Sequence, residues 1–343
     1  MNKRVTMEQI AEAANVSKGL VSRALTDRYG VSNEMRSFIK MKATELGYDF
    51  NKIKTKQVRK KKCCLLISSR VLTRESYWQP IIRRMEEELL FMGVEPHYFV
   101  HGEKQFSEDE QKKFREDDSC AYVVMSKNLP FLMQELEKKK KPTVVIDPQF
   151  HVSTKFMQIK TSNYESSYEA AKYLIDNGLT HILYFGATTF SESFSERYAG
   201  VVQCVKDFAE EGAKLTELDI DNSDYAFAAP ERLARILKTE KIDAVMCCND
   251  LFAVSALKTI KDLGLRVPDD ISIIGFDNTV ESYLVSPELT TIEVPREKMG
   301  EDAANLIIKT IETGKADYTS LVLNCKLVRR ESVREKGEKD EKS

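Results

Sequence analysis

The stretch Val267-Pro-Asp-Asp-Ile-Ser-Ile-Ile-Gly-Phe-Asp277 contains a short apolar run that ends on a carboxylate. A run of four to eight such residues, bounded by turn residues, is typical of a buried strand in a parallel sheet. Similar runs recur along the chain and predict further strands. The predicted strands span 65–68, 121–125, 143–146, 181–185, 244–247 and 271–276.

Longer segments with the charge pattern of surface helices alternate with these strands. They are predicted at 77–92, 166–177, 197–211, 230–239 and 251–263. Alternating strands and helices predict parallel sheets covered by helices on both faces. Because this region is too long for one such sheet, we expect an α/β fold with two doubly wound parallel-sheet lobes.

Polar side chains follow three of the predicted strands. Asp147 follows 143–146, Asn249 and Asp250 follow the run that ends at 248, and Asp277 ends the opening stretch. In open parallel sheets, ligands bind in the crevice outside the carboxyl ends of the strands. This rule makes Asp147, Asn249 and Asp277 candidate ligand-binding residues, and a helix cap or turn residue is the alternative interpretation of each. For Asp250 the cap or turn interpretation is preferred.

The first 49 residues have the pattern of three short helices. Thr6-Met-Glu-Gln9 has the form of a capping box, and Ser17 and Ser32 would cap the second and third helices. Two helices separated by three or four residues form a helix-turn-helix, although a plain helical hairpin has the same local pattern. The solvent side of the second helix would carry small and basic residues, namely Lys18, Gly19, Ser22 and Arg23. No side chain on this surface of the small all-α domain would repel a phosphate.

A basic segment joins this domain to the rest of the chain. Residues 50–64 hold seven Lys or Arg residues and no acid. Residues 1–62 carry 15 basic and 6 acidic side chains, whereas the remaining 281 residues carry 37 basic and 48 acidic ones. A small basic end on an acidic body favours a nucleic acid or an anionic membrane as partner, and charge alone does not choose between them.

Several motifs, all in register, resemble the LacI/GalR family of transcriptional regulators. In the first domain they are Val5-Thr-Met-Glu-Gln-Ile-Ala-Glu-Ala-Ala-Asn-Val-Ser-Lys-Gly-Leu-Val-Ser-Arg-Ala-Leu25, Val31-Ser32 and Glu45-Leu-Gly-Tyr48. In the body they are Ser195-Glu-Arg-Tyr-Ala-Gly200, Asp243-Ala-Val-Met-Cys-Cys-Asn-Asp250, the opening stretch and Pro287-Glu-Leu-Thr-Thr291. The resemblance spans about residues 4–330 and implies a helix-turn-helix headpiece followed by a core similar to periplasmic sugar-binding proteins.

The resemblance also implies roles for individual residues. The implied DNA-binding positions in the headpiece are Thr6, Ser17, Lys18, Gly19, Ser22 and Arg23. Arg23 could make a bidentate pair with guanine. The implied effector-binding positions are Tyr77, Trp78, Asp147, Arg197, Tyr225, Asn249 and Asp277. Trp78 could stack on a sugar face, and packing between the lobes is an equally good interpretation of this residue.

The basic segment occupies the position of the family's hinge. In the family, the hinge folds on the operator and inserts a leucine into the minor groove, and Gln57 occupies that position here. We therefore expect the hinge to depend on phosphate contacts, with steep salt dependence and less bending of the operator. The basic residues concerned include Lys52, Lys54, Lys56 and Arg59.

These features predict a ligand-controlled, homodimeric transcription factor that acts as a repressor, which is the family's commonest pattern. Two headpieces would read a pseudo-palindromic operator in double-stranded DNA. A small molecule between the lobes, most commonly a sugar in this family, would change the affinity for DNA. A corepressor such as a purine is the alternative, and nothing in the sequence decides between induction and corepression.

Other classes of protein fit the sequence less well. An enzyme is not expected, nor is a cofactor, because the dinucleotide-binding, P-loop, zinc-protease and nucleophile-elbow motifs are missing. A metal site is not expected either, because His97 and His101 flank a predicted strand without a cluster of cysteines or carboxylates. A solute-binding protein or an enzyme with an accessory DNA-binding domain is a distant alternative. An architectural DNA binder would not need the cleft.

The predicted domains are a headpiece at 1–49, a hinge at 50–62 and an effector-binding and dimerisation core at 63–330. The N-lobe would comprise about 63–161 and 293–318, and the C-lobe about 162–292 and 319–330. Residues 331–343 are charged, lack apolar heptads and are predicted to be a disordered tail. Without an apolar leader or an uncharged apolar window of 18 residues, the protein is expected to be cytoplasmic and to contact no membrane.

Overall fold

The computed structural model describes residues 5–25, 31–48, 50, 61–69, 71, 75–102, 105–125, 129–149, 152–189, 191–220, 230–315 and 319–336. Within these ranges, no helix is both long enough and apolar enough to cross a membrane.

Three helices form the headpiece: α1 (Met7–Ala13), α2 (Lys18–Leu25) and α3 (Asn33–Glu45). The predicted capping box is present, because the Thr6 amide donates to Gln9 Oε1 at 2.9 Å and the Gln9 amide donates to Thr6 Oγ1 at 3.4 Å. The helices share one small apolar core, made of Ile10, Ala11, Ala14, Val21, Ala24, Leu25, Ile39 and Ala43. This core holds α2 with its polar side toward solvent.

The N-lobe is built on a six-stranded sheet. Its strands are β1 (Lys61–Ser68), β2 (Val94–His101), β3 (Ala121–Met125), β4 (Thr143–Ile146), β5 (Met157–Thr161) and β11 (Ser320–Leu323). They lie in the order β11-β5-β4-β3-β1-β2, and each neighbouring pair is parallel. Its helices are α4 (Glu75–Phe91), α5 (Glu108–Glu116), α6 (Pro130–Lys139) and α11 (Arg296–Thr313).

The C-lobe repeats this architecture. Its strands are β6 (His181–Gly186), β7 (Lys214–Asp219), β8 (Ala244–Cys247), β9 (Ser272–Asp277), β10 (Thr290–Glu293) and β12 (Lys326–Val328). They lie in the order β12-β10-β9-β8-β6-β7, with β12 antiparallel to β10 and the other pairs parallel. Its helices are α7 (Asn163–Asp176), α8 (Glu192–Asp207), α9 (Pro230–Thr239) and α10 (Asp250–Asp262).

Side chains alternate between the two faces of each sheet, as the period of a strand requires. In β1, Leu65 packs in the cluster that contains Ile81 of α4. Its neighbour Leu66 packs on the other face, in the cluster that contains Phe114 of α5 and Leu132 of α6. Both faces of the N-lobe sheet are therefore buried under helices, as predicted for a doubly wound fold.

All six bounded strand predictions are confirmed, and the strand expected between His97 and His101 is β2, which includes both histidines; the sequence did not predict β5, β7, β10, β11 or β12. The edge strands β2 and β7 have mixed polarity, because one of their faces is partly exposed. Strands of this kind lack the continuous apolar run that identifies a central parallel strand.

Two predicted boundaries are corrected by the structure. Ser320–Leu323 belongs to the N-lobe, because β11 pairs with β5, so the chain returns to the C-lobe after this strand and not at 319. Residues 331–336 do not form a disordered tail, because Ser332 and Val333 are buried against the C-lobe. Ser332 Oγ donates to the Ile273 carbonyl at 2.7 Å and accepts from the Thr290 amide at 2.8 Å. Residues 337–343 lie outside the described ranges.

Candidate functional site

Two carboxylates mark the carboxyl ends of the sheets, one in each lobe. Asp147 directly follows β4 of the N-lobe, and Asp277 ends β9 of the C-lobe. Their φ angles are 47° and 100°, in a region that side chains other than glycine seldom adopt. Residues held in such conformations cluster at binding sites, where the surrounding structure compensates for the strain.

Arg197 of α8 lies at the centre of the site. Its Nη2 is 3.1 Å from Asp277 Oδ1, its Nη1 donates to the Cys248 carbonyl at 2.7 Å, and its Nε donates to Asn163 Oδ1 at 3.0 Å. The guanidinium carbon also lies 3.6 Å from the centroid of the Phe276 ring. Arg197 is 2% exposed and Asp277 is 7% exposed, so the ion pair is largely shielded from water. The fork of the guanidinium is thereby fixed in orientation.

Asp147 connects the two lobes. Its Oδ1 accepts a hydrogen bond from Ser193 Oγ of α8 at 2.9 Å, and its Oδ2 accepts from the Tyr77 hydroxyl of α4 at 3.4 Å. Burial raises the pKa of Asp147, and the nearby Arg197 opposes this effect. The pKa of Tyr77 is raised by burial and by the negative charges of Asp147 and Asp277. Side chains from both lobes therefore meet at one polar site.

Further carboxylates give the site an acidic character. Glu196 accepts from Asn163 Nδ2 at 3.0 Å, and its pKa is raised by burial and by the charges of Glu192 and Asp147. Glu192 forms an ion pair with Lys160 at 2.8 Å. Carboxylates accept hydrogen bonds from hydroxyl groups, and amides both accept and donate them. An anionic ligand would add to the negative charge of the site.

Asn249 and Trp78, which were also predicted to bind the effector, have structural roles in the core. Asn249 caps α10, since its Oδ1 accepts from the Phe252 amide at 3.0 Å. Trp78 is nine-tenths buried among apolar side chains and makes an edge contact with Tyr77. Asp250 was expected to be a helix cap or turn residue, but it is the first residue of α10, which Asn249 caps. Its buried carboxylate accepts from the Thr279 amide at 2.7 Å. Tyr225 lies outside the described residues.

Four residues of this site were not predicted from the sequence: Asn163, Glu192, Ser193 and Glu196. Ser193 lies four residues before Arg197, so both side chains project from the same face of α8. Asn163, at the start of α7, holds Arg197 and Glu196 at once. The spacing of Ser193 from Arg197 was a usable signal. No local pattern predicted Asn163, because its partners come from another helix.

In the headpiece, α2 presents the predicted polar surface. Lys18, Gly19 and Arg23 are exposed and Ser22 is half-buried, while Val21 packs in the core. Ser17 Oγ accepts from the Leu20 amide at 3.2 Å at the start of the helix. Lys18 forms an ion pair with Glu8 of α1, so a phosphate contact by Lys18 would have to replace this pair. The predicted hinge contacts Lys52, Lys54, Lys56, Gln57 and Arg59 lie outside the described residues.

No metal site was expected, because His97 was thought to lack neighbouring cysteines and carboxylates. The structure shows that this reason is wrong. His97 of β2 lies beside Cys64 of β1 and Asp117, which precedes β3, and the ligand atoms of these residues lie within 4.8 Å of one another. The sequence interpretation considered His97 with His101 alone. Cys64 and Asp117 are distant from His97 in sequence and reach it only through the pairing of the strands.

Comparisons with known proteins agree with this architecture. A family model for a periplasmic binding protein-like domain matches residues 171–333. The HTH-type transcriptional repressor PurR of Histophilus somni (strain 129Pt) is 30% identical over 347 residues, which cover 96% of this chain and 99% of the relative. The HTH-type transcriptional repressor CytR of Escherichia coli (strain K12) is 26% identical over 335 residues, which cover 96% of each chain.

Solved structures of similar fold cover 80–96% of this chain. The regulator CelR in complex with cellobiose has a TM-score of 0.67 at 23% identity and covers 96% of this chain and 100% of its own. The lac repressor dimer bound to operator and the anti-inducer ONPF has a TM-score of 0.65 at 21% identity, covering 96% and 99%. A LacI family regulator from Enterococcus faecium with bound ribose has a TM-score of 0.69 at 18% identity, covering 80% and 99%.

Proposed function

Because this chain belongs to the LacI/GalR family of ligand-controlled, DNA-binding transcriptional repressors, we propose that a neutral, hydroxyl-rich effector binds between its lobes. The observation that carries this proposal is the meeting of Asp147, Ser193, Arg197 and Asp277 at the carboxyl ends of β4 and β9. A ligand that replaces the Ser193–Asp147 hydrogen bond would change how the lobes approach each other. The protein then acts by binding, and catalysis is not part of its role.

The polar groups of the site favour a sugar or sugar derivative over an anion. Asp147, Glu192, Glu196 and Asp277 provide acceptors for hydroxyl hydrogens, and Asn163 and Ser193 add neutral polar groups. The charge of Arg197 is already matched by Asp277 at 3.1 Å. A phosphate or carboxylate on the ligand would therefore meet net negative charge. Structural relatives that hold ribose or cellobiose support the same class of ligand.

The direction of the response has two candidate forms. If the ligand favours the lobe arrangement that binds operator, it is a corepressor, for which a purine is the alternative ligand class. If it favours the other arrangement, it is an inducer. In either case ligand and DNA must change each other's affinity by the same factor, because the coupling free energy is reciprocal.

Homodimerisation is proposed from exposed apolar side chains on both lobes. In the N-lobe these are Leu90, Phe91, Tyr98 and Val100, which lie at the end of α4 and on the edge strand β2. In the C-lobe they are Leu251, Val280, Tyr283 and Leu284. A twofold axis along these patches would bury them and place two headpieces on a pseudo-palindromic operator.

The dimer surface can be tested against the opposite edge of the same sheet. Phe91→Glu is expected to dissociate the dimer in sedimentation experiments, because Phe91 is 70% exposed and its burial would drive association. Val322→Glu is the matched control, since Val322 is exposed on the other edge strand, β11. Dissociation by the control alone would place the interface elsewhere.

In the headpiece, Lys18, Gly19, Ser22 and Arg23 are proposed to face the major groove. The exposure of α2 supports this role. Its apolar side packs in the headpiece core, so its polar side remains available for DNA. The role of the hinge lysines and Gln57 stays a prediction. We expect DNA binding to depend strongly on salt and the operator to be bent only slightly.

The effector proposal is tested by titrating operator-bound protein with matched pairs of neutral and phosphorylated sugars. A neutral sugar is expected to change the fraction of DNA bound, and its phosphorylated counterpart is expected to act at least about tenfold more weakly. Ser193→Ala should weaken the response about tenfold, because it removes a buried hydrogen bond. Ser195→Ala is the matched control on the same helix, because the Ser195 hydroxyl donates to the Thr188 carbonyl at 2.6 Å and to the Ser191 carbonyl at 3.2 Å. Stronger action of the phosphorylated member would contradict the charge argument.

A further inference from the structure

The cluster formed by Cys64, His97 and Asp117 lies in the N-lobe, away from the effector cleft. Cys64 and His97 are direct register partners on the parallel strands β1 and β2. Asp117 enters from the segment before β3, which is the other neighbour of β1. The three side chains are thus held by adjacent parts of one sheet. Sites built on strands are more rigid than sites built on loops.

A second set of contacts orients the ligand atoms. The Tyr122 hydroxyl donates to Asp117 Oδ1 at 2.9 Å, and the Ser119 amide donates to the same oxygen at 3.1 Å. The other oxygen, Oδ2, lies 2.9 Å from His97 Nε2. The ring of His97 also has a buried Nδ1 without a hydrogen-bond partner among the described residues. The carboxylate is therefore oriented toward the histidine and cysteine by groups outside the cluster, as in known metal sites.

The distances suit a small transition-metal ion. The ligand atoms lie within 4.8 Å of one another. Bonds of about 2.0–2.3 Å in a tetrahedral site would place ligand atoms about 3.5 Å apart, so a shift of about 1 Å would complete the site. A sulfur, an imidazole nitrogen and a carboxylate oxygen form a donor set typical of Zn²⁺, whereas Mg²⁺ and Ca²⁺ prefer oxygen alone.

We infer that Cys64, His97 and Asp117 form a Zn²⁺-type metal site, with the fourth position open to water or to the Ser119 hydroxyl. His97 is about one-third exposed and provides the route from solvent. On binding, the Cys64 thiol loses its proton to solvent and its sulfur bonds to the ion, while Asp117 and His97 bind without a change in oxidation state.

The charges around the cluster are consistent with a divalent cation. Although burial alone would raise it, the pKa of Asp117 is lowered by hydrogen bonds from Ser119, His97 and Tyr122, so the carboxylate is ionised at neutral pH. Burial raises the pKa of Cys64, and the charge of Asp117 raises it further. Lys139 places one positive charge beside the cluster, because its Nζ donates to the Asp117 carbonyl at 2.7 Å. Cys64 becomes a thiolate only when the ion displaces its proton, and the two anionic ligands then exceed the single positive charge of Lys139.

The position of the site suggests what the metal does. β1 begins at Lys61, where the hinge enters the core, and Cys64 lies three residues later. Bound metal would tie β1 to β2 and to the segment before β3 at this point. It would thereby stabilise the part of the core to which the DNA-binding headpiece is attached.

The test uses the full chain, freed of metal with a chelator and titrated with Co²⁺. One Co²⁺ per chain is expected, with the thiolate-to-cobalt charge-transfer absorption of a cysteine ligand, and one equivalent of Zn²⁺ should abolish that absorption because Zn²⁺ binds such sites more tightly. Cys64→Ser should lose the absorption. Cys204→Ser, which alters a buried thiol of the C-lobe, should keep it.

A second variant is needed because Cys64→Ser changes a buried side chain and could lose the absorption by unfolding. His97→Gln changes a partly exposed side chain and should weaken Co²⁺ binding at least about tenfold with an unchanged circular dichroism spectrum. Zn²⁺ should also raise the Tm of the wild type but not of His97→Gln, since a ligand of the folded state stabilises it. The absence of stoichiometric Co²⁺ binding, or an unchanged absorption in Cys64→Ser, would overturn the assignment.

Discussion

Arg197 Nη2 lies 3.1 Å from Asp277 Oδ1, and both side chains are almost completely buried. Arg197 also donates to Asn163 and to the Cys248 carbonyl, so the ion pair is tied to α7 and to the end of β8. A buried pair of this kind contributes less to stability than its Coulomb energy suggests, because both charges lose their hydration. Its removal on one side only, however, leaves the other charge without compensation.

Asp277→Ala is therefore expected to affect both ligand response and folding. The effector response should be lost, and the core should be destabilised by about 3–5 kcal/mol because Arg197 stays buried without its partner. DNA binding by the headpiece should remain at temperatures where the core is folded. Urea unfolding and operator titration measure the two effects separately.

A double-mutant cycle gives the control for this pair. Arg197→Met combined with Asp277→Ala should cost less than the sum of the single changes, since no unpaired charge remains. Additive losses would show that the two side chains do not interact energetically. A normal ligand titration in Asp277→Ala would remove Asp277 from the effector site.

Asp250 should make the stability of the core depend on pH. Burial, with the nearby charge of Asp277, raises its pKa from 3.8 to about 7. Since the folded chain holds this proton more tightly than the unfolded chain, its contribution is full below about pH 4 and is lost as the pH rises to about 7.

Asp250→Asn isolates this contribution. The free energy of unfolding of the wild type minus that of the variant should fall between about pH 4 and pH 7 and then level off. The subtraction is needed because Asp147 and Glu196, whose pKa values are also raised, act in the same direction as Asp250. A difference that is constant or rises with pH would contradict the burial of this carboxyl group.

Gly200 allows α8 to pack closely against α7, and a larger residue at this position is expected to destabilise the contact. A Cβ at this position would overlap the Tyr164 carbonyl, which belongs to the backbone of α7 and cannot move freely. Gly200→Ala should therefore lower the free energy of unfolding by about 1–3 kcal/mol. Gly102→Ala is the control, because its nearest contact would be an ordinary 3.5 Å to the Gln105 carbonyl. Equal stability of both variants in urea would refute the close helix contact.

Arg23→Ala should weaken operator binding and relax the preference at one base pair. Loss of a bidentate contact to guanine would reduce discrimination there by about 1–3 kcal/mol. Lys42→Ala is the control, since Lys42 belongs to α3 and pairs with Glu45 at 2.8 Å. The measurement is competition between operator duplexes that differ at single positions. If Arg23→Ala keeps the preference of the wild type, α2 is not the recognition helix as proposed.

The central strands and the ends that carry Asp147 and Asp277 could be predicted because buried parallel strands have a continuous apolar signal. The return of the chain to the N-lobe through β11 could not be predicted, because Ser320–Leu323 is short and half-exposed. The same limit applies to the side-chain clusters. Ser193 was within reach of helical spacing, whereas the approach of Cys64 to His97 depends on strand register, which no local pattern specifies.

The central claim is that a ligand between the lobes controls sequence-specific DNA binding. Its most direct test is selection of bound duplexes from a random pool, repeated with a panel of neutral sugars and nucleosides. The account predicts one enriched pseudo-palindromic sequence whose recovery changes with a particular ligand, and a need for more of that ligand to produce the same change in Ser193→Ala. Failure to enrich any sequence, or enrichment that no member of the panel alters, would contradict it.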